Sequence, residues 1–162
     1  MTEVITRIVT PVRLEYTVTA GATQEWFLEG LLEGRIIGQR APDGKLYVPP
    51  RGACPVTGEP MRDEYEDVPD TGTVTTFCVI NIPFEGQGLT PPYVGAAILL
   101  DGADLPIFHI IGGIDPDEVR MGMRVKAVWK PEDEWGTTIE NISHFAPTGE
   151  PDADFETYKQ HL

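Results

Sequence analysis

Gly38-Gln39-Arg40-Ala41-Pro42-Asp43-Gly44-Lys45-Leu46-Tyr47-Val48-Pro49-Pro50-Arg51-Gly52-Ala53-Cys54-Pro55-Val56-Thr57-Gly58 has the outline of two tight knuckles joined by a short hairpin that ends in Pro49-Pro50-Arg51. A metal-binding ribbon of this shape needs four thiolate or imidazole ligands in two close pairs, because zinc is held tetrahedrally at about 2.3 Å from each sulfur. The second knuckle keeps only Cys54, since Thr57 stands three residues on. The first knuckle, where Cys-x-x-Cys-Gly would stand, reads Ala41-Pro42-Asp43-Gly44 and is one residue short. One thiol cannot close a zinc site. The expectation is a ribbon that persists as a shape without its metal ligands.

Outward from this stretch, composition narrows the class. A chain of 162 residues, 41% hydrophobic, can fill one compact core, and 17 Gly with 15 Pro imply many turns and little long helix. No run of apolar residues is long enough to cross a membrane as a helix. Arg7 and Arg13 interrupt the apolar residues near the N-terminus, which therefore lacks a secretory pattern. Cys54 and Cys78 make no disulfide framework, so a reducing cytoplasm is expected. The net charge of −14 argues against nucleic acid, which requires a basic face. The charge is uneven, however. Arg35, Arg40, Lys45 and Arg51 stand against Asp43 alone between residues 35 and 51, a cationic island on an acidic protein.

Residues 4–19 read as an extended arm, which Pro11 places at a sheet edge. A helix follows, with Thr23 as N-cap, Phe27, Leu28, Leu31 and Leu32 at helical spacing, and Gly34 as its stop. Trp26 flanks that stripe as a core residue or a partner anchor. Residues 62–70 are acidic and read as a linker. Residues 71–84 then alternate, with Val74, Cys78, Ile80 and Ile82 on one face and Phe77 and Val79 on the other. A long loop, a central strand over 93–100 and a third strand over 105–111 follow. Asp115, Pro116, Glu118 and Gly122 signpost a short helix with a capping box, and strands over 123–129 and 137–145 complete the set. Three strands, a capped helix and two more strands are the element order of an OB-fold, a five-stranded Greek-key barrel. The expected architecture is mainly β: arm and helix over 1–37, degenerate ribbon over 38–62, OB barrel over 68–147, and an acidic C-terminal tail over 148–162. In that tail Phe155, Tyr158 and Leu162 share one helical face, to dock on the barrel or to bind a partner.

In this order the residues resemble a known family, the OB-fold proteins with a rubredoxin-like zinc ribbon that accompany acyl-CoA-processing thiolase-like enzymes. The similarity spans nearly the whole length. It rests on Gly38-Gln39-Arg40, Tyr47-Val48-Pro49-Pro50-Arg51-Gly52-Ala53-Cys54-Pro55, Gly72-Thr73-Val74-Thr75-Thr76-Phe77 and Pro92-Tyr93-Val94. It continues through Asp115-Pro116-Asp117-Glu118-Val119-Arg120-Met121-Gly122-Met123 and Trp129-Lys130-Pro131. The resemblance implies an accessory subunit in a hetero-oligomer with a lipid-transfer-type thiolase or retro-aldolase, serving fatty-acid or steroid side-chain breakdown. In an archaeal assembly, relatives bridge a thiolase and a synthase and help hold the CoA moiety. Members commonly carry four ribbon cysteines, so Cys54 alone is a departure, and zinc is not expected here.

The chemistry of the remaining residues points the same way. A nucleophile needs an adjacent base. Cys54 precedes a proline, Cys78 has the spacing of a core residue, and His109 lies in an apolar run. Intrinsic catalysis is not expected, nor a tightly bound cofactor. An acyl-CoA site would pair cations with an apolar groove, and Arg35, Arg40, Lys45 and Arg51 are its candidates. Trp26, Phe27, Tyr47, Phe155 and Tyr158 are the candidate partner contacts. The competing class is single-stranded nucleic acid, which would need exposed aromatics in a basic groove. Only Phe77 is well placed for it on the first barrel strand.

Overall fold

The computed structural model of the chain describes Thr10 and residues 12–162. The rest of the expected arm, Pro11 and Arg7 included, lies outside the described residues. Residues 12–20 have no regular secondary structure, and all are exposed. The first helix, α1 (Ala22–Leu32), starts two residues earlier than expected. Gly21 is its N-cap at φ 77°, with no side-chain cap, and Thr23 sits inside the helix with its hydroxyl bonded to the Tyr65 phenol. Phe27, Gly30 and Leu31 form the buried face. Gly34 ends the helix at φ 71°, and a Cβ there would stand 2.6 Å from the ring of Trp135.

Three strands form a small antiparallel sheet in the order β2-β1-β3: β1 (Ile36–Arg40), β2 (Leu46–Tyr47) and β3 (Tyr65–Val68). β3 overturns the linker expected over 62–70. Its acidic residues are compatible with a strand because it is an edge, paired only with β1, so that Glu66 and Asp67 project to solvent.

The remaining strands close a barrel in the order β4-β5-β6-β8-β7, as an OB-fold requires. They are β4 (Thr71–Ile80), β5 (Tyr93–Leu100), β6 (Ile107–Ile111), β7 (Arg124–Trp129) and β8 (Ile142–Pro147). All pairs are antiparallel except β6 with β8, which meet in parallel at Ile111 and Phe145. Three local expectations fail, each for a visible reason. A bulge between Val74 and Thr76 reverses the faces of β4, so Phe77 and Val79 pack on the core while Cys78 and Ile82 are exposed. The signposted helix is a single 3-10 turn, Pro116–Glu118, because Asp115 accepts from the Asp117 amide and the chain is extended again at Val119. The last strand begins at Ile142 because residues 139–141 form another 3-10 turn, capped by Thr138.

Two polar groups fix this frame. The buried Asn141 side chain donates to the carbonyls of Leu31 (2.9 Å) and Gly136 (2.7 Å) and accepts from the Gly136 amide, tying the end of α1 to the β7–β8 loop. Asp101, in the turn after β5, accepts from Arg124 Nη1 and Nη2, both at 2.7 Å, and from Thr71 Oγ1 at 2.5 Å. It thus binds the starts of β4 and β7 to the end of β5. The tail docks on its own barrel. Arg120 holds Asp152 in a two-pronged pair at 2.6 and 2.7 Å, the Ala153 amide donates to Gly122, and Tyr158 on α2 (Phe155–Tyr158) is buried.

The Arg124 hydrogen bonds hold the Asp101 carboxyl below its ordinary value of 3.8, outweighing its partial burial. A carboxylate with a depressed folded value stabilises the fold above the unfolded value and loses that contribution as pH falls through the folded one. Asp101→Asn should therefore cost about 1 kcal/mol at pH 7, its partial exposure screening the pair, and should flatten the loss of stability below about pH 4. Urea midpoints of both proteins at pH 7 and pH 3 check this.

Candidate functional site

The two expected knuckles are present as turns. The Gly44 amide donates to Ala41 and the Ala41 amide to Lys45, while Gly58 donates to Cys54 and Cys54 to Glu59. Where a metal would sit between them, Ala41, Tyr47 and Cys54 pack into a small buried cluster flanked by Met61 and Leu105. Hydrogen bonds from Thr57 hold the Cys54 thiol below its ordinary value, against the effect of burial. Among the described residues no group of three or more His, Cys, Asp or Glu could hold a metal ion. One thiol facing an alanine and a tyrosine does not fit zinc. The cross-link is instead an amide. The buried Gln39 side chain donates to the Arg62 carbonyl (2.8 Å) and accepts from the Arg51 amide (3.0 Å), spanning the lobe from one side to the other.

The cationic island is smaller than its sequence suggests. Arg35 immediately precedes β1 and Arg40 is its last residue, so the two lie at opposite ends of the strand and do not share one site. Arg35 pairs with Glu33 and with Asp67 at 2.8 Å, and Arg40 pairs with Glu66 and donates to the Gly44 carbonyl. These acids come from β3 and the end of α1, outside the cationic stretch. Lys45 and Arg51 form no ion pair among the described residues, and Arg51 lies over the Tyr47 ring at 5.9 Å. Arg51 also borders a groove of about 540 Å³ that runs past Pro49, Pro50 and Ala53 to Gln24.

Of the expected partner contacts, Phe27, Tyr47 and Tyr158 are buried in the chain's own core and present no surface. Their spacing marked them as large and apolar, but not which way they face. Burial raises the Tyr47 phenol above its ordinary value. Trp26 is 53% exposed rather than core, stacked on Tyr65 at 5.1 Å beside Glu29, Glu33, Glu66 and Asp67. Phe155 is about half exposed and lies edge-on to Tyr158.

A second candidate surface lies on the barrel, at residues that sequence reasoning missed. Phe108 on β6 is 69% exposed, and Ile82, Phe84 and Leu89 on the β4–β5 loop are exposed too. Phe108 lies on Gly95, where a Cβ would meet its ring at 2.8 Å, so the pair form a flat apolar face. Leu89, Phe108, Ile110, Ile139 and Ile142 line a groove of about 580 Å³ between the β4–β5 and β7–β8 loops, with Lys130 and Glu140 at its rim. Phe108 follows Ile107 and precedes His109 in an apolar run, which masked it as core. His109 is half-buried there. Its Nδ1 accepts from the Ile110 amide at 2.9 Å, and burial holds the imidazole below its ordinary value. That is a packed neutral ring rather than an exposed base.

Comparison with known proteins follows the same two lobes. Residues 28–59 match the family model described as the ChsH2 rubredoxin-like zinc ribbon domain, and residues 65–130 match the one described as the ChsH2 C-terminal OB-fold domain. A DUF35 domain-containing scaffold protein of Pyrococcus furiosus is 28% identical over 94 residues, 58% of this chain and 68% of that protein. Among solved structures, the Ltp2-ChsH2(DUF35) aldolase matches with a TM-score of 0.58 at 24% identity, over 78% of this chain and 95% of that one. A DUF35 protein of unknown function from Sulfolobus solfataricus matches with a TM-score of 0.58 at 21% identity, over 78% of this chain and 84% of that one. At those identities the two structures speak for the fold.

Because an amide and a packed cluster hold the ribbon lobe, Gln39→Ala should loosen it while leaving the barrel intact. The expected cost is about 2 kcal/mol, from an unmet Arg62 carbonyl and Arg51 amide. Amide exchange should rise over residues 38–62 and stay unchanged over β5 and β7. A strong chelator should leave the melting temperature of the unmodified protein where it was, since one thiol beside an alanine and a tyrosine does not make a zinc site.

Proposed function

We propose that this chain, which belongs to the ChsH2-type family joining a rubredoxin-like ribbon to an OB-fold domain, is a non-catalytic accessory subunit of a thiolase-like enzyme. The observation that carries this reading is the apolar barrel face. Phe108 and Leu89 lie exposed on one groove, with Ile82 and Phe84 exposed on the β4–β5 loop, on a chain of net charge −14, as a buried contact with another protein requires. A relative described as a scaffold protein and a neighbour described as an aldolase formed with a DUF35 chain support the same assignment. The partner on this reading is a lipid-transfer-type thiolase or retro-aldolase, and the complex a cytoplasmic hetero-oligomer.

The ligand side of the proposal is an acyl-CoA with a fatty or steroid acyl group. Arg51 and Lys45, which form no ion pair among the described residues, would meet its phosphates beside the groove at Pro49 and Pro50, with Arg40 giving up Glu66 to join them. Arg35 contributes less, since two carboxylates already hold it. Single-stranded nucleic acid is disfavoured. The barrel groove offers aromatic surface, but one lysine at its rim is answered by Glu140.

Two measurements test the halves separately. Phe108→Asp should weaken the complex with the co-purifying thiolase-like enzyme about thirtyfold, as removal of a central hot spot does, while the isolated chain stays folded. Wild-type affinity would exclude the barrel face. Titrating a long-chain acyl-CoA against the intact complex should give a Kd raised about fivefold or more by Arg51→Ala and by Arg40→Ala, and unchanged affinity in both would remove the ribbon cations from the site.

A further inference from the structure

The β4–β5 loop, residues 81–92, is far longer than the roughly two to five residues that a hairpin needs. It is nevertheless held in one shape. Phe84, Glu85, Gly86 and Gln87 form a tight turn. In it the Gln87 amide donates to the Phe84 carbonyl at 3.3 Å, and Gly86 takes the positive φ, 85°, that a type II turn requires at its third residue. The Gln87 side chain then closes the turn from outside. Its Oε1 accepts from the Phe84 amide at 3.3 Å, and its Nε2 donates at 3.0 Å to the hydroxyl of Tyr93, the first residue of β5. All the hydrogen bonds described for residues 81–90 thus pass through Gln87. Gln87 is also the only residue of 81–90 that is not exposed.

What this clasp presents is apolar. Ahead of the turn Ile82 is 79% exposed and Phe84, its first residue, 66%. Behind it Gly88 and Leu89 border the Phe108 groove. Ordering a long loop, and a glutamine side chain with it, costs conformational entropy. Neither Ile82 nor Phe84 packs on the chain's own core, so burial of these side chains does not offset that cost. Order of this kind is useful where a surface must reach its partner already shaped, because a loop fixed beforehand loses less freedom on binding. Glutamine suits the task, since one side-chain amide offers both the acceptor for Phe84 and the donor for Tyr93. We propose that Gln87 is a positioning residue, clasping the β4–β5 loop to the barrel so that Ile82 and Phe84 stand ready as anchors for an apolar pocket of the partner enzyme. The proposal rests on the accessory-subunit reading and names the side chain that prepares its barrel face.

Affinity for the co-purifying thiolase-like enzyme, measured on the full chain and its variants, tests the clasp. Phe84→Ala should weaken the complex about tenfold, as loss of an interface anchor does. Gln87→Ala and Tyr93→Phe leave both anchors in place. They should weaken the complex about fivefold and about threefold, with the melting temperature of the isolated chain unchanged. In a chain already lacking both anchors, Ile82→Ala with Phe84→Ala, adding Gln87→Ala should weaken it by less than about twofold. Wild-type affinity in Gln87→Ala, beside a weakened Phe108→Asp complex, overturns the clasp and leaves the accessory role standing. An undiminished loss in the chain without anchors also overturns it, since Gln87 then acts through something other than the loop. So does self-association of the isolated chain that Phe84→Ala abolishes, which gives the loop to a second copy. Wild-type affinity in Phe108→Asp and Phe84→Ala alike defeats the barrel-face reading, and the clasp with it.

Discussion

The apolar core runs without a break from Phe27 and Leu31 on the helix, through Ile36, Leu46, Val48 and Val68 of the ribbon lobe, into Val74, Ile98 and Phe145 of the barrel. That continuity allows a lobe with one cysteine to stay folded. A structural zinc contributes about 10–16 kcal/mol to the domain that binds it. Each buried Ile, Leu or Val contributes about 1.5–3 kcal/mol, so the four from the ribbon lobe reach the same order. The lobe shares a continuous apolar wall with the barrel. The barrel then stops being a neighbour and becomes part of the lobe's interior.

The polar contacts follow the same logic, since each spans two pieces that a metal would otherwise have to organise. Gln39 joins the segment after the hairpin to the segment before β3. Asp104, from the β5–β6 turn, binds both backbone groups of Leu46. Asn141, from the β7–β8 loop, reaches back to Leu31. Gln39 and Asn141 act through neutral side-chain amides and Asp104 through its carboxyl oxygen and its backbone amide, and all are buried or half-buried, where an unmet partner is costly. The ribbon's orientation on the barrel is therefore fixed by chemistry that survives reduction and chelation alike.

The barrel was legible because strand order and turn signals survive in a sequence, while the direction a side chain faces does not. The five segments, the Asp101-Gly102 turn and the Asp115-Pro116 cap stand where pattern puts them. Thr75 has no local mark as a bulge, so strict alternation inverts the faces of β4 and puts the exposed Cys78 on the core side. β3 hid behind its charges, and with it the partners of Arg35 and Arg40, so a window of sequence showed four free cations where two are paired and two have no ion pair among the described residues. Phe108 hid in an apolar run, because burial on one face of a strand cannot be told from burial on both by composition.

These misreadings share a cause that bears on function. Sequence patterns report what is apolar, and the fold decides which apolar groups are left outside. Phe27, Tyr47 and Tyr158 went in, where they hold the helix, the ribbon and the tail in place. Ile82, Phe84 and Phe108 stayed out, on a chain whose core is already closed and whose buried side-chain polar atoms all have partners among the described residues. A chain able to satisfy its interior so fully gains nothing for its own stability from exposed aromatic and aliphatic surface. Such surface makes physical sense when another protein completes it, with the stapled ribbon and the closed barrel serving as the rigid frame that presents it.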